Sequence, residues 1–336
     1  MKSQMTHQER VKAALAGQEV DRPPISMWRH FYAGETSAEG LAEAMLSFQR
    51  RFDWDFMKVN PRASYHAEAW GLKVRYDGDR PPVAVEHPVK VPEDWLKLET
   101  ASLDKGVLKE QLRALELIAR GLGEEVPFLM TVFTPLSIAS RLASSEEVFL
   151  RHLREHPENV RYALEVVTES FIGFSKACLE RGASGLFFAT TSWATTQRWT
   201  AGEYAQLARP YDLKLLGALP PARFHILHVC RDQNMLASLR DYPVQAFNWD
   251  ARGAGNVSLA EGKAMAGGRA VVGGLPHGER LAKATPQELA GEVRGMVIAL
   301  GRKGWMLGTG CTFPPETPEV NVEAIRKAVE EGLKQT

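Results

Sequence analysis

The sequence predicts an α/β fold built as a single (β/α)8 TIM barrel with an N-terminal helical extension. Three observations carry this. From residue 101 onward, short apolar runs alternate with longer helical stretches, the pattern of βαβ units and a parallel sheet. The apolar runs number eight along the whole chain. The chain has 336 residues, more than the roughly 250 of a typical barrel, which leaves room for an extension. No polar linker divides it, so residues 1–336 are expected to form one domain, with residues 1–50 supplying the extension and the first strand.

The elements follow in order. Thr6 to Ala16 has the pattern of a short helix with its charges on one side. Pro23 and Pro24 then stop any helix, and Ile25 to Trp28 fits a short buried strand. Ser37 to Arg50 returns to helical periodicity and Phe52 to Val59 fits a strand, followed by a polar loop with Pro61, Arg62 and His66. Residues 74–93, with Asp77, Gly78, Asp79, Pro81 and Pro82, fit a hairpin or excursion. Helices are then expected over 103–120, Pro135–Ala143, Ser145–His152, Pro157–Arg181, Tyr204–Leu216, Gln233–Leu239, Pro286–Leu300 and Val320–Glu330. The strands among them are Phe128–Phe133, Leu186–Ala189, Phe224–Val229, Val244–Trp249, Ala270–Gly273 and Trp305–Gly308.

Composition removes several function classes. Lys plus Arg and Asp plus Glu both total 41, so the chain lacks the basic excess of an electrostatic nucleic-acid binder. A hydrophobic content of 44% argues against disorder, and three cysteines in so long a chain exclude a disulfide scaffold. The longest mostly apolar run, Val126 to Ala139, is interrupted by prolines and falls short of the about 20 residues of a membrane span. The N-terminal MKSQMTHQER has no apolar signal core, so a soluble cytoplasmic protein without a membrane or nucleic-acid partner is expected. There is no G-x-G-x-x-G after an early strand and no G-x-x-x-x-G-K-[ST]; GAGN at Gly253 to Asn256 lacks the full spacing.

In a barrel, polar residues at the C-terminal ends of strands face the active site. Those ends supply Asn60, Thr190, Thr191, His228, Cys230, Asn248, Asp250, Thr309 and Cys311. In HILHVCRD, His228 and Cys230 are two residues apart, so a strand directs both to one face. In LGTGCTFPPETP, Cys311 follows Gly308 and Gly310 at the end of the last strand. One imidazole and two thiolates suit Zn2+ and leave its fourth position open, the catalytic arrangement. Two thiolate donors soften the ion's acidity, which suits a bound thiolate that must stay nucleophilic. A nucleophilic cysteine with a histidine base is the competing chemistry, and it leaves one of the two cysteines idle. Cys178, on the long helix, fits a small buried hydrophobe.

These residues also carry a family resemblance over nearly the whole chain. GQEVDRPPISMW, DWDFMKVNPRASYHAEAWG, FTPLSIASRL, LHVCRD and GTGCTFPPETPEVNVEAI resemble segments of the uroporphyrinogen decarboxylase superfamily, and ASGLFFATTSWAT takes the place of its "DSWAG"-like strand end. The resemblance is closer to the zinc-dependent, corrinoid-linked methyltransferase branch. The decarboxylases resemble one another in an arginine-rich "RQAGR" segment, where this chain has MWRHFYAGETS with only Arg29. Asn60 in KVNPRAS stands nearest their pyrrole-binding aspartate, and their closing histidine is replaced around Thr309 to Cys311. The resemblance implies zinc held by His228, Cys230 and Cys311, a small thiol bound as thiolate, and methylcobalamin or a methyl-corrinoid protein as donor. No D-x-H-x-x-G cobalamin signature is present. Uroporphyrinogen decarboxylation, decarboxylation of a smaller acid, and a non-catalytic small-molecule-binding barrel are the alternatives, in a monomer or homodimer.

Around this centre, Asn248 and Asp250 are expected to point toward the mouth, with the Asp250 carboxylate a candidate both for orienting the histidine and for substrate binding. Arg62 and His66 are candidates for contacts to substrate anions, Asn60 for substrate binding, and Trp193 and His277 for the pocket wall. His7, His87, His152 and His156 are expected on helix or loop surfaces.

Overall fold

The structure is a computed structural model that describes residues 4–331. Thr6 opens the first helix, His7–Leu15, through a capping box in which Thr6 and Glu9 satisfy each other's backbone N–H groups. Seven parallel strands follow in chain order within one sheet: β1 (Met57–Val59), β4 (Phe128–Phe133), β5 (Gly185–Ala189), β6 (Ile226–Val229), β7 (Ala246–Trp249), β8 (Ala270–Leu275) and β9 (Trp305–Thr309). The expected excursion is an antiparallel hairpin, β2 (Lys73–Asp77) and β3 (Arg80–Glu86), separate from that sheet. No helix among the described residues is long and apolar enough to cross a membrane.

Alternation along the strands sorts the core into two layers. Leu186, Phe188, Leu227, Val229, Phe247, Trp249, Val271 and Leu307 belong to the large outer core shared with the flanking helices. Phe56, Leu129, Phe187, Phe224, Ile226, Ala246, Ala270, Val272 and Met306 belong to an inner core, joined by Val11, Ala13 and Ala14 of the first helix. That helix therefore closes the N-terminal end of the sheet. Moving two residues along the same inner face replaces these apolar side chains by Lys58, His228 and Asn248, all buried. The apolar floor and the polar upper layer thus come from one repeat.

Among the described residues the parallel sheet has seven ladder strands where eight were expected. The segment expected as first strand, Ile25–Trp28, makes an isolated parallel bridge at Ile25 with Leu307. Pro23 and Pro24 have no N–H to donate, so a regular ladder cannot extend through them. The sheet nevertheless curls so far that this segment touches both its edges. Ser26 N–H donates to Leu307 O (3.1 Å) and Leu307 N–H to Pro24 O (2.7 Å), while Asp55 N–H donates to Ile25 O (2.9 Å).

Other boundaries differ for local reasons. Phe52 ends the helix Ala38–Phe52 rather than starting a strand, because Asp53 adopts a left-handed cap (φ 53°). Pro210 divides the expected Tyr204–Leu216 helix into Ala201–Leu207 and Arg209–Gly217. Gln233–Leu239 shrinks to a 3-10 turn over Leu236–Leu239.

Asp55 fastens the seam. Its carboxylate is buried and accepts hydrogen bonds from Arg10, Arg22, His7 and the Ile25 N–H (2.8 Å). Burial alone would raise this carboxyl, yet the His7 hydrogen bond and the Arg22 and Arg10 charges hold it well below the usual carboxylate range. A depressed folded-state pKa means that its contribution is complete above about pH 4, where an unfolded aspartate is ionised, and fades as pH falls towards the lower folded value. Asp55→Asn is expected to destabilise the fold by about 3–5 kcal/mol at neutral pH, since it leaves the buried Arg22 guanidinium without a carboxylate and Arg10 with Asp21 alone. Urea unfolding should show this, together with a shallower loss of stability below about pH 4 than the unsubstituted chain.

Candidate metal centre

β6 carries His228 one residue before its end at Val229 and leads directly into Cys230, both on its inner face, and β9 leads into Cys311. The curl of the sheet brings these strand ends together. One ligand atom from each of the three side chains lies within 4.8 Å of the others. The two sulfurs are 3.8 Å apart. Two thiolates each about 2.3 Å from one tetrahedral ion would also lie about 3.8 Å apart, so the donor set and its spacing fit zinc.

Cys311 owes its place to Gly310. A Cβ on Gly310 would come within 2.7 Å of Asp250 Cα, so only glycine lets the chain after β9 pass this close to the end of β7. His228 is aimed by Asn248, its register neighbour in β7. Asn248 Nδ2 donates to Val272 O (2.9 Å) and Thr309 O (3.1 Å), which fixes its Oδ1 as the acceptor facing His228 Nδ1 (2.6 Å). Nδ1 therefore carries the proton and Nε2 keeps its lone pair for a metal. Phe187 stacks on the imidazole with ring centroids 5.2 Å apart.

The two thiols are hydrogen-bonded to each other. The hydrogen bond to Cys311, with burial, pushes Cys230 well up; the bond from Cys230, with His228, holds Cys311 well down despite burial. Cys178 is fully buried in its helix, where burial pushes its thiol up and keeps it inert.

The cluster opens on a cavity of about 950 Å3. Asn60, His66, Trp193, Asp250 and His277 line it, so five of the six expected substrate residues meet there. Asp250 does not orient His228; its Oδ1 accepts from Arg252 N–H (3.0 Å) and its Oδ2 lies 3.7 Å from His277 Nδ1. Arg62 is not among the lining residues. Its guanidinium is held by Glu68 (2.8 Å), Glu110 and the Glu35 carbonyl (2.9 Å). His152 is buried rather than on a surface and accepts from Trp95 Nε1–H (3.0 Å), and His7 bridges Asp53 and Asp55.

The sequence reasoning missed Lys58, Trp28 and Phe187, which also line the cavity. Lys58 carries no local signal: it is a charged residue at an inward position of a strand whose residues are all buried, and that burial comes from elements distant in sequence.

The "Uroporphyrinogen decarboxylase (URO-D)" family model matches residues 6–332. The chain is 24% identical over 344 residues to the methylcobamide:CoM methyltransferase MtbA of Methanosarcina mazei, covering 96% of this chain and 97% of that one. Among solved structures, a methyltransferase from Methanosarcina mazei shares the fold with a TM-score of 0.84 at 22% identity, covering 98% and 99% of the two chains. A B12-independent methionine synthase from Shewanella sp. W3-18-1 shares it with a TM-score of 0.61 at 11% identity, covering 93% and 96%.

Asn248→Ala would free the imidazole to rotate and exchange tautomers. Zinc affinity, measured by competition with a chromogenic chelator, is expected to fall about 10- to 100-fold while the fold persists.

Proposed function

The chain belongs to the uroporphyrinogen decarboxylase family, and from that premise we propose that it is a zinc-dependent methyltransferase. It would activate a small thiol to take a methyl group from a corrinoid. The observation that carries the reading is the convergence of one imidazole and two thiols at a spacing that suits a single ion. The relative at 24% identity, a methylcobamide:CoM methyltransferase, supports a corrinoid as methyl donor. A corrinoid carried by a separate protein would suit a chain without the D-x-H-x-x-G signature.

His228 Nε2, Cys230 Sγ and Cys311 Sγ would hold the ion and leave one position for substrate. Zinc in this place would supply Lewis acidity, lowering the pKa of the substrate thiol so that it reacts as thiolate. The chain's own residues do the rest. Asn248 fixes the imidazole, Phe187 packs on its face, and Trp193 walls the cavity. His277, 33% exposed and beside Asp250, offers the proton shed by the thiol a path towards solvent. The substrate sulfur is the nucleophile and the demethylated corrinoid the leaving group.

The segment Pro24–Ser26, bonded to both edges of the sheet, is on this reading the eighth stave that completes the barrel. Decarboxylation of a polycarboxylate is disfavoured. Arg29, the sole arginine of its segment, donates to Pro315 O (2.8 Å) and is not among the cavity's lining residues.

The purified chain is expected to hold one zinc per chain by elemental analysis, and to lose it in Cys230→Ser and in Cys311→Ser. It is expected to transfer methyl from methylcobalamin to at least one small thiol, read from the corrinoid absorbance. Stable, zinc-free protein, or full transfer by both serine variants, would remove this reading.

A further inference from the structure

We propose that Lys58 and Asn60, with His66 lining the same cavity, form a seat for the oxyanion head group of a small ligand, a carboxylate or a sulfonate. Lys58 points from β1 into the interior and is only 4% exposed. Its ammonium lies over the Phe187 ring (4.8 Å to the centroid) and the Trp28 ring (5.8 Å), and donates to Asn60 Oδ1. Among the described residues no carboxylate lies within ion-pair distance of it. The contrast within one fold is instructive: Arg10 and Arg22, equally buried at the seam, share the Asp55 carboxylate.

An ammonium has three N–H donors, and Lys58 uses one. Asn60 spends its Oδ1 on Lys58, and its Nδ2 is buried without a partner. His66, 2% exposed, has both ring nitrogens buried without a partner. Burial, with Arg141 nearby, pushes its imidazole down to about 3, so it stays neutral and offers one N–H. All three residues line the cavity that holds the metal cluster. The free capacity at this wall is therefore almost entirely donor, beside one buried positive charge. A neutral ligand would leave that charge uncompensated, whereas an oxyanion meets both the charge and the donors. One buried cation fits a single anionic head rather than a polyanion.

Burial pushes Lys58 down to about 7, against the raising effect of Cys311 and Glu35, and a bound anion would restore the charged form. Phe187 lies against both Lys58 and His228. On the thiol reading above, one ligand would then place its sulfur at the metal and its oxyanion on Lys58. The seat itself does not depend on that reading.

The test is calorimetric titration of the full-length chain, zinc-loaded and zinc-stripped, at constant ionic strength. The probes are butanoate and propane-1-sulfonate, with butanamide and methyl propyl sulfone as neutral isosteres. Saturable binding of at least one anion is expected, with roughly ten- to hundred-fold weaker binding of its isostere. Lys58→Met should abolish that preference, and Asn60→Ala, which keeps the charge, should weaken anion binding several-fold. The tighter anion identifies the head group. Wild-type protein that binds neither anion better than its isostere overturns the proposal, as does folded Lys58→Met protein with unchanged anion affinity. Should Lys58→Met fail to fold, the wild-type comparison decides alone. Anion binding by protein that takes up no zinc would keep the seat and remove the thiol reading; zinc uptake without anion binding would do the reverse.

Discussion

One buried carboxylate holds the molecule's seam. Asp55 receives two arginines, a histidine and a backbone N–H, and its own N–H reaches back to Ile25 O. Through it the N-terminal helix, the proline-stiffened segment after it and the start of β1 become one unit. The same segment bonds Leu307 in β9. The curl of the sheet is thus pinned where its two edges come nearest. The cost of burying Arg10, Arg22 and Asp55 is offset because each of these three charged groups has an oppositely charged partner there.

Once the curl is pinned, the two-residue repeat decides what the interior contains. Inward positions near the N-terminal ends of the strands are apolar and are covered by Val11, Ala13 and Ala14. The next inward positions are Lys58, His228 and Asn248, and beyond them come Asn60, Cys230 and Asp250. Chemistry is therefore confined to one end of the interior, above a dry floor that cannot supply competing ligands. Asn248 shows how closely support and site are joined. It spends both N–H groups on carbonyls of neighbouring strands or their ends, and through its remaining oxygen chooses the tautomer of His228.

The parallel α/β order was legible because the buried strands are short apolar runs between long amphipathic helices. The convergence of His228, Cys230 and Cys311 was legible because an H-x-C at one expected strand end and a glycine-flanked cysteine at another fall at the same end of a parallel sheet. What stayed hidden depends on partners far away in sequence. Arg62 reads as a free loop arginine until Glu68 and Glu110 close on it. Asp250 reads as the more natural support for a histidine until the register of β6 on β7 sets Asn248 opposite His228. Lys58 reads as a solvated charge because nothing local shows that both faces of β1 are covered.

The same argument explains where the backbone is forced. Among the described residues four non-glycine residues have positive φ: Asp53, Thr191, Arg231 and Gln233. Asp53 caps a helix, but the other three sit past the ends of β5 and β6, where Thr191 and Arg231 line the cavity. For Thr191, β-branched at φ 49°, this region is intrinsically unfavourable. Each is held by contacts from elsewhere in the fold. Thr191 Oγ1 donates to Ser137 Oγ (2.8 Å), and Gln233 N–H donates to Ala254 O (2.8 Å) while its own carbonyl accepts from Thr196 N–H (2.9 Å). Arg231 turns the chain away immediately after Cys230, and its carbonyl accepts from Asn256 Nδ2 (3.0 Å). Strain of this kind, of order 1–3 kcal/mol per residue, persists only where the surroundings over-determine it. Here it falls on the loops that carry Cys230 and wall the cavity. The stability stored at the seam and in the two cores is what keeps those loops in a conformation they would not adopt alone.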